Sequence, residues 1–233
     1  MKNKGLVIVS TLSLIIALAA IQILPGQIPV HFGLNGEADR IGSKYEVFIF
    51  AAEIIVVSVI GILLRRKFER DSKNAADEKT ASHAAGNARI CVVVCTAQNA
   101  VMLGIEVIFI AIGYNGLQDL QGSSGELYCS VMCVLFGILF TVLGNILPKV
   151  RMNGLIGLRT TWSLKNEEVW ARSQRMGGTL TFFGGAATII SGIVLRGFPS
   201  IIVSAIIITV IVAAAVKGSH QIYIDWEKEN NNE

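Results

Sequence analysis

Charge is scarce in this chain of 233 residues. Asp, Glu, Lys and Arg make up 16% of it, against about a quarter in an average soluble domain. Hydrophobic residues make up 52%. That balance excludes an ordinary soluble domain, so length cannot be turned into a domain count. No basic module interleaved with aromatics is present, which argues against direct nucleic-acid binding. The common signatures of catalysis are also missing. There is no Gly-x-Ser-x-Gly, no His-Glu-x-x-His and no phosphate-binding glycine loop. The three histidines, His31, His83 and His220, lie on separate polar segments. Neither an enzyme nor a cofactor is expected. The four cysteines form two i, i+4 pairs, Cys91 with Cys95 and Cys129 with Cys133, not the two-residue spacing of common zinc or redox motifs. Each pair lies near the start of its apolar run, and successive runs cross in opposite directions, so the pairs fall on opposite membrane sides, which excludes one shared four-cysteine zinc site. They read as small packing residues.

What the chain does have is apolar runs. Six are long enough to cross a bilayer core of roughly 30 Å: about 5–24, 46–64, 90–113, 127–147, 178–195 and 200–216. The expected fold is an all-α integral membrane protein, a bundle of about six transmembrane helices in one polytopic domain, 1–233. Its parts are a first helix pair at 5–64 with an outer loop at 25–45, a cytoplasmic loop at 65–89, and helices three and four at 90–147. A second cytoplasmic loop follows at 148–177, then helices five and six at 178–216 and a polar tail at 217–233. The first run lacks a persuasive small-residue cleavage site and is read as a retained helix. With the N-terminus inside, seventeen of the twenty Lys and Arg face the cytoplasm and only Arg40, Lys44 and Arg196 lie outside. The positive-inside rule selects that orientation, with both termini cytoplasmic. Trp162, Trp170 and Trp226 then sit at the inner interface, and the basic loops suit anionic headgroups of the lipid bilayer. The 65–89 segment reads as a solvated helix or mobile linker, the 114–126 segment as a flexible turn, and the tail as frayed.

Ionisable groups inside apolar runs are costly and often mark function. Glu53 and Glu106 each lie about seven residues from the outer edge, and Gln98 and Asn99 lie near mid-membrane. They can line an ion or proton path, as in a small ion- or proton-coupled transporter, or hydrogen-bond the helices together. Without a visible internal repeat, interhelical bonding is the preferred reading.

The outer loop reads LPGQIPVHFGLNGEADRIGSKYE. Asn35-Gly36 is a turn signal. His31, Glu37 and Asp39 supply nitrogen and oxygen donors for a metal, but Asp39 can equally pair with Arg40 or Lys44, and no metal is assigned. His31, Glu37, Asp39 and Lys44 are instead read as candidate contacts for an extracellular ligand. Leu24-Pro25, Ile28-Pro29, His31-Phe32, Gly36, Asp39 and Ser43-Lys44 resemble a short bacterial domain of unknown function.

Residues 144–178 stand apart from the apolar runs, with six basic residues, two tryptophans and several turn formers. Asn166 before Glu167 and Glu168 predicts an N-cap and a short amphipathic helix carrying Val169, Trp170, Ser173 and Met176 on one side, suited to the membrane interface. Lys165, Arg172 and Arg175 would face water or headgroups. Arg159 is a candidate for binding a carboxylate or phosphate, or for plain anchoring. Gly144-Asn145, Pro148, Asn153, Gly157, Arg159, Thr160, Trp162, Leu164, Glu168-Val169-Trp170 and Arg175 to Gly178 resemble the signature of the SdpI family of bacterial membrane proteins. Two departures are Thr161, where Pro is usual, and Ser173-Gln174, where Thr-His is usual. The resemblance implies a protein of the bacterial cytoplasmic membrane that confers immunity to a secreted toxin protein or peptide. It also implies signalling by holding a cytoplasmic transcriptional repressor at the membrane. The alternatives are the transporter above and a scaffold subunit of a membrane complex.

Overall fold

The computed structural model describes residues 3–33, 35–116 and 122–231, apart from the side chain of Ser123. Six helices account for most of it: α1 (Lys4–Ile23), α2 (Phe48–Lys73), α3 (Glu78–Tyr114), α4 (Ser123–Ile146), α5 (Glu167–Val194) and α6 (Gly197–Asn231). All six are long and apolar enough to cross a membrane. Large apolar side chains such as Val7, Ile8 and Ile15 on α1 point outward, as lipid contact requires. α1, α2 and α3 pack on one another, α4, α5 and α6 do likewise, and α3 against α4 is the main junction between the two groups.

Small residues set the tightest contact, between α4 and α5. A Cβ on Gly178 would lie 2.7 Å from the Gly144 carbonyl oxygen, and one on Gly185 would lie 2.6 Å from that of Gly137. The two backbones meet with nothing between them. In lipid, such close approach replaces the missing hydrophobic drive.

Four segments differ from the sequence expectation. The 25–45 segment is a β-hairpin, not an irregular loop: β1 (Gln27–Phe32) pairs antiparallel with β2 (Ala38–Ser43). Ile28, fully buried, anchors it beside Leu24 and Ala20 at the end of α1. Of the two readings of 65–89, helix holds and linker does not, although the helix belongs to its neighbours. α2 and α3 continue through it and meet at a turn over 74–77, where the Asp77 side chain caps α3 by accepting from the Thr80 N–H at 2.8 Å. The tail is helical to Asn231 instead of frayed. The helix capped by Asn166 is the first part of α5, not a separate interfacial helix, and Val169, Trp170 and Ser173 are buried in the fold. The expected turn between α3 and α4 falls partly on 117–121, outside the described residues.

At about 1.5 Å per residue, the 37 residues of α3 and the 35 of α6 exceed a 30 Å bilayer core. The surplus lies at the end carrying both termini. Asn3 accepts from Arg65 there at 2.7 Å, and Trp226 donates to Glu168 at 3.2 Å.

Candidate functional site

The segment between α4 and α5 sits among these helical extensions and is clamped from every side. A 3-10 turn over Leu147–Lys149, with Pro148 in its first turn, ends α4. Val150 is then extended and buried. Trp170, 2% exposed, donates its indole N–H to the Val150 carbonyl at 2.9 Å. On the next residue, Asn87 of α3 donates to the Arg151 carbonyl and accepts from the Arg151 N–H, both at 3.0 Å. Asn153 then closes a turn, its side-chain oxygen accepting from the N–H groups of Leu155 and Ile156. Side-chain closure of this kind is why Asn suits turns.

Gly157 follows with φ +107, a backbone region closed to most side chains. A Cβ there would also lie 2.9 Å from Gln174 Oε1 and 3.0 Å from the Trp170 ring. Gln174, fully buried on α5, takes both backbone groups of Leu158. It accepts from the N–H at 2.8 Å and donates to the carbonyl at 3.0 Å. Thr160 and Ser163 bond each other reciprocally through backbone N–H and side-chain oxygen, and Thr160 Oγ1 meets Ser219 of α6 at 3.0 Å. The Trp162 ring lies on His220, with centroids 4.3 Å apart. Asn166 accepts from the N–H groups of Glu168 and Val169 and starts α5. At the surface, Lys79 of α3 pairs with Glu167 at 2.7 Å, and Arg172 bridges Glu168 and Glu229.

The expected site residues therefore divide. Pro148, Asn153, Gly157, Trp162 and Trp170 shape or clamp the segment. Glu168 joins α5 to α6. Asn145, Arg159 and Arg175 are exposed, and neither arginine has an ion pair among the described residues. The clamping residues that sequence reasoning missed are Asn87, Ser163, Gln174 and Ser219. Asn87 and Ser219 lie far away in the chain with no local signal. Gln174 stood out only as a departure from a family pattern.

At the opposite end, the hairpin brings His31 Nδ1 onto Asp39. Glu37 turns away and accepts from the Asn35 side-chain amide at 2.7 Å. Asp39 thus pairs with His31, not with either expected cation. Arg40 goes to Glu46 at 2.7 Å, and Lys44 donates to the Ile21 carbonyl at 2.6 Å. That last bond satisfies an open carbonyl in the last turn of α1. Among the described residues no group of three His, Cys, Asp or Glu side chains is placed to hold a metal.

Within the bundle the four polar residues do not form one row. Glu106, fully buried, accepts from Ser13 of α1 at 2.6 Å. Glu53 accepts from Gln98 at 3.1 Å. Asn99 donates to Ser58 at 2.8 Å and to the Ile54 carbonyl at 3.2 Å, and Ser58 meets Ser10. These bonds tie α1, α2 and α3 together. Glu53 Oε2, Glu106 Oε1 and Asn99 Oδ1 are buried with no partner among the described residues. All four cysteines are free and buried, and Cys133 meets Ser200 and Ser204 at 3.4 Å.

Comparison with known proteins finds two family matches and one curated relative. Residues 149–217, the clamped segment with α5 and part of α6, match the SdpI/YfhL protein family. Residues 8–55, spanning α1, the hairpin and the start of α2, match a domain of unknown function, DUF1648. The chain is 27% identical over 205 residues to the immunity protein SdpI of Bacillus subtilis (strain 168), covering 83% of this chain and 88% of that protein. No solved structure matches. The resemblance to the SdpI family and the six spanning helices make this a multi-pass protein of the bacterial cytoplasmic membrane. The family is one of membrane immunity proteins, not an enzyme family.

Proposed function

From the resemblance to the SdpI family over 149–217, we propose that this chain protects a bacterial cell against a secreted antimicrobial protein or peptide. The observation that carries the reading is the clamped segment at the termini end. Its buried Trp170, Gln174 and Asn87 spend their hydrogen bonds on backbone, and Arg159 and Arg175 are left exposed, with no ion pair among the described residues. A fixed surface with free guanidinium groups suits recognition of carboxylates. With seventeen of twenty Lys and Arg on that side, it faces the cytoplasm. There it would hold a cytoplasmic transcriptional repressor, while the hairpin bearing His31 and Asp39 meets the toxin outside. Such a relay needs two arrangements of the bundle that toxin and repressor stabilise differently.

The test is survival. The chain and its Arg159→Ala variant, at matched membrane levels, are expressed in bacteria sensitive to a secreted killing protein. Survival with the intact chain and death with the variant is the expected result. Death with both refutes protection against that toxin.

One observation favours a second reading, a proton- or ion-coupled transporter. Glu53 and Glu106 each keep one buried carboxylate oxygen without a partner, and intramembrane carboxylates commonly serve relays. Glu53→Gln with Glu106→Gln would then abolish flux in proteoliposomes while leaving the fold intact. Unchanged activity in that double variant removes the reading.

A further inference from the structure

The termini end holds an apolar cavity beside a basic recess, and the same two stretches of chain line both. The cavity, about 350 Å³, lies in the seam between the two helix groups under the clamped segment. That volume falls in the roughly 300–1,000 Å³ range of ligand pockets. Ile90, Cys91, Val94, Leu147, Val150 and Ala215 are among the apolar side chains that line it. The recess beside it is lined by Lys79, His83, Arg89, Lys149 and Arg151, and Ile90 borders both spaces.

The juxtaposition follows from local alternation. Val150 faces the cavity, and its neighbours Lys149 and Arg151 face the recess. On α3, Arg89 lines the recess, Ile90 the boundary and Cys91 the cavity. The mouth is built, not incidental. Asn87, 2% exposed, fixes Arg151 by two backbone hydrogen bonds, and Trp170 fixes Val150 by a third. Lys79 is engaged by Glu167. Arg89, Lys149 and Arg151 have no ion-pair partner among the described residues. Three cations with no ion-pair partner among the described residues, beside an apolar slot at the end of α4, match one ligand chemistry: a phosphate joined to an alkyl chain.

We infer that this is a binding site for one anionic phospholipid molecule, its phosphate in the recess with Arg89, Lys149 and Arg151 and one acyl chain in the cavity. Basic pockets between membrane helices recognise anionic headgroups, each nearby cation adding to the attraction. The cavity supplies the apolar half that a free phosphate would not use.

The test uses the full chain purified in an uncharged detergent. Retention of added phosphatidylglycerol and phosphatidylcholine with identical acyl chains is measured by native mass spectrometry and by thermal shift. The expected result is at least tenfold tighter binding of phosphatidylglycerol. The triple variant Arg89→Gln, Lys149→Gln, Arg151→Gln brings the two lipids within about twofold. The charge-matched control Arg66→Gln, Lys67→Gln, Lys217→Gln keeps the preference. Val94→Phe, which fills the cavity from one wall, weakens both lipids severalfold. Equal binding of the two lipids by the intact chain overturns the proposal, as does a triple variant indistinguishable from the control. Glycerol phosphate, added alone at millimolar concentration, separates the two sources of the phosphate. Stabilisation equal to that by the lipid would mark a soluble-phosphate site and overturn the assignment. Loss of protection in the survival assay above, with lipid preference intact, would leave this site standing.

Discussion

Gln174→Leu isolates the clamp on the segment before α5. The change keeps the approximate volume of a fully buried side chain and removes both of its bonds to Leu158. The two lost bonds do not weigh equally. The Leu158 carbonyl still accepts from Ser163 Oγ at 2.8 Å, so its loss is largely covered. Among the described residues the Leu158 N–H has no second acceptor, and orphaning a donor in this part-buried position costs about 1–3 kcal/mol. Taking about 2 kcal/mol, local opening of the segment rises roughly thirtyfold, since 1.4 kcal/mol is a factor of ten. The rest of α5 should not respond, because its i to i−4 ladder is untouched. Hydrogen–deuterium exchange in detergent reads this directly, as local opening sets the exchange rate of protected amides. Peptides covering 155–163 should exchange roughly thirtyfold faster, and peptides covering 180–192 within about twofold. Gln174→His, the residue usual in the family, can make one bond to Leu158 and should fall between. Unchanged exchange across 155–163 in Gln174→Leu would refute the clamp.

Other outcomes follow from the same geometry. Gly178→Val puts side-chain atoms where the Gly144 carbonyl and the Pro148 ring lie. It should cost at least the 1–3 kcal/mol typical of overpacking, read as loss of monodisperse protein on size exclusion. Glu106→Ala removes the acceptor for Ser13 and should lower the thermal midpoint more than Glu106→Gln, which can still accept. Equal midpoints would show that the bond does not hold α1 to α3. Lys44→Met frees the Ile21 carbonyl. Because the Lys44 side chain ties the end of the hairpin to the last turn of α1, faster exchange should appear in those two places, not in α2. Arg159→Ala should leave the thermal midpoint within about 1 °C, since its side chain has no partner among the described residues, and any loss of protection then lies in recognition.

The spanning helices were legible because their signal is long and redundant. One polar residue in a run of twenty does not hide it, and Pro25-Gly26 marks the end of α1 beside its last residue, Ile23. What failed was the reading of polar composition as a linker at 65–89, the alternative to a solvated helix there, and as fraying in the tail. Arg65 to Lys73 and Lys217 to Asn231 are too charged for hydrocarbon but are good helix formers. They stay helical because packing supports them. Phe68 is buried against Ala88 and Cys91, and Trp226 reaches Glu168. The hairpin was missed for a related reason. Its buried strand residues are the neighbouring pair Ile28 and Pro29, with none in β2, so no alternation reads as a strand, and only contact with α1 and α3, through Ile28, shows why it is ordered.

The site divides along the same physical line. Turn chemistry is local, so Asn153, Gly157 and the Asn166 cap could be picked out from neighbouring residues. The clamp is not local. Asn87 is 64 residues from Arg151, and Ser219 is 59 from Thr160; no window of sequence contains either pair. Gln174 shows how such a position misleads. As a replacement for a usual histidine it reads as a lost role, whereas the buried amide makes two bonds to Leu158. A neutral imidazole has one donor and one acceptor on opposite sides of its ring, and it cannot present both to one residue's N–H and carbonyl in the same way. An amide fills this geometry at least as well. The departure therefore argues for a retained structural duty at position 174, and the proposed recognition rests on the exposed guanidinium groups of Arg159 and Arg175.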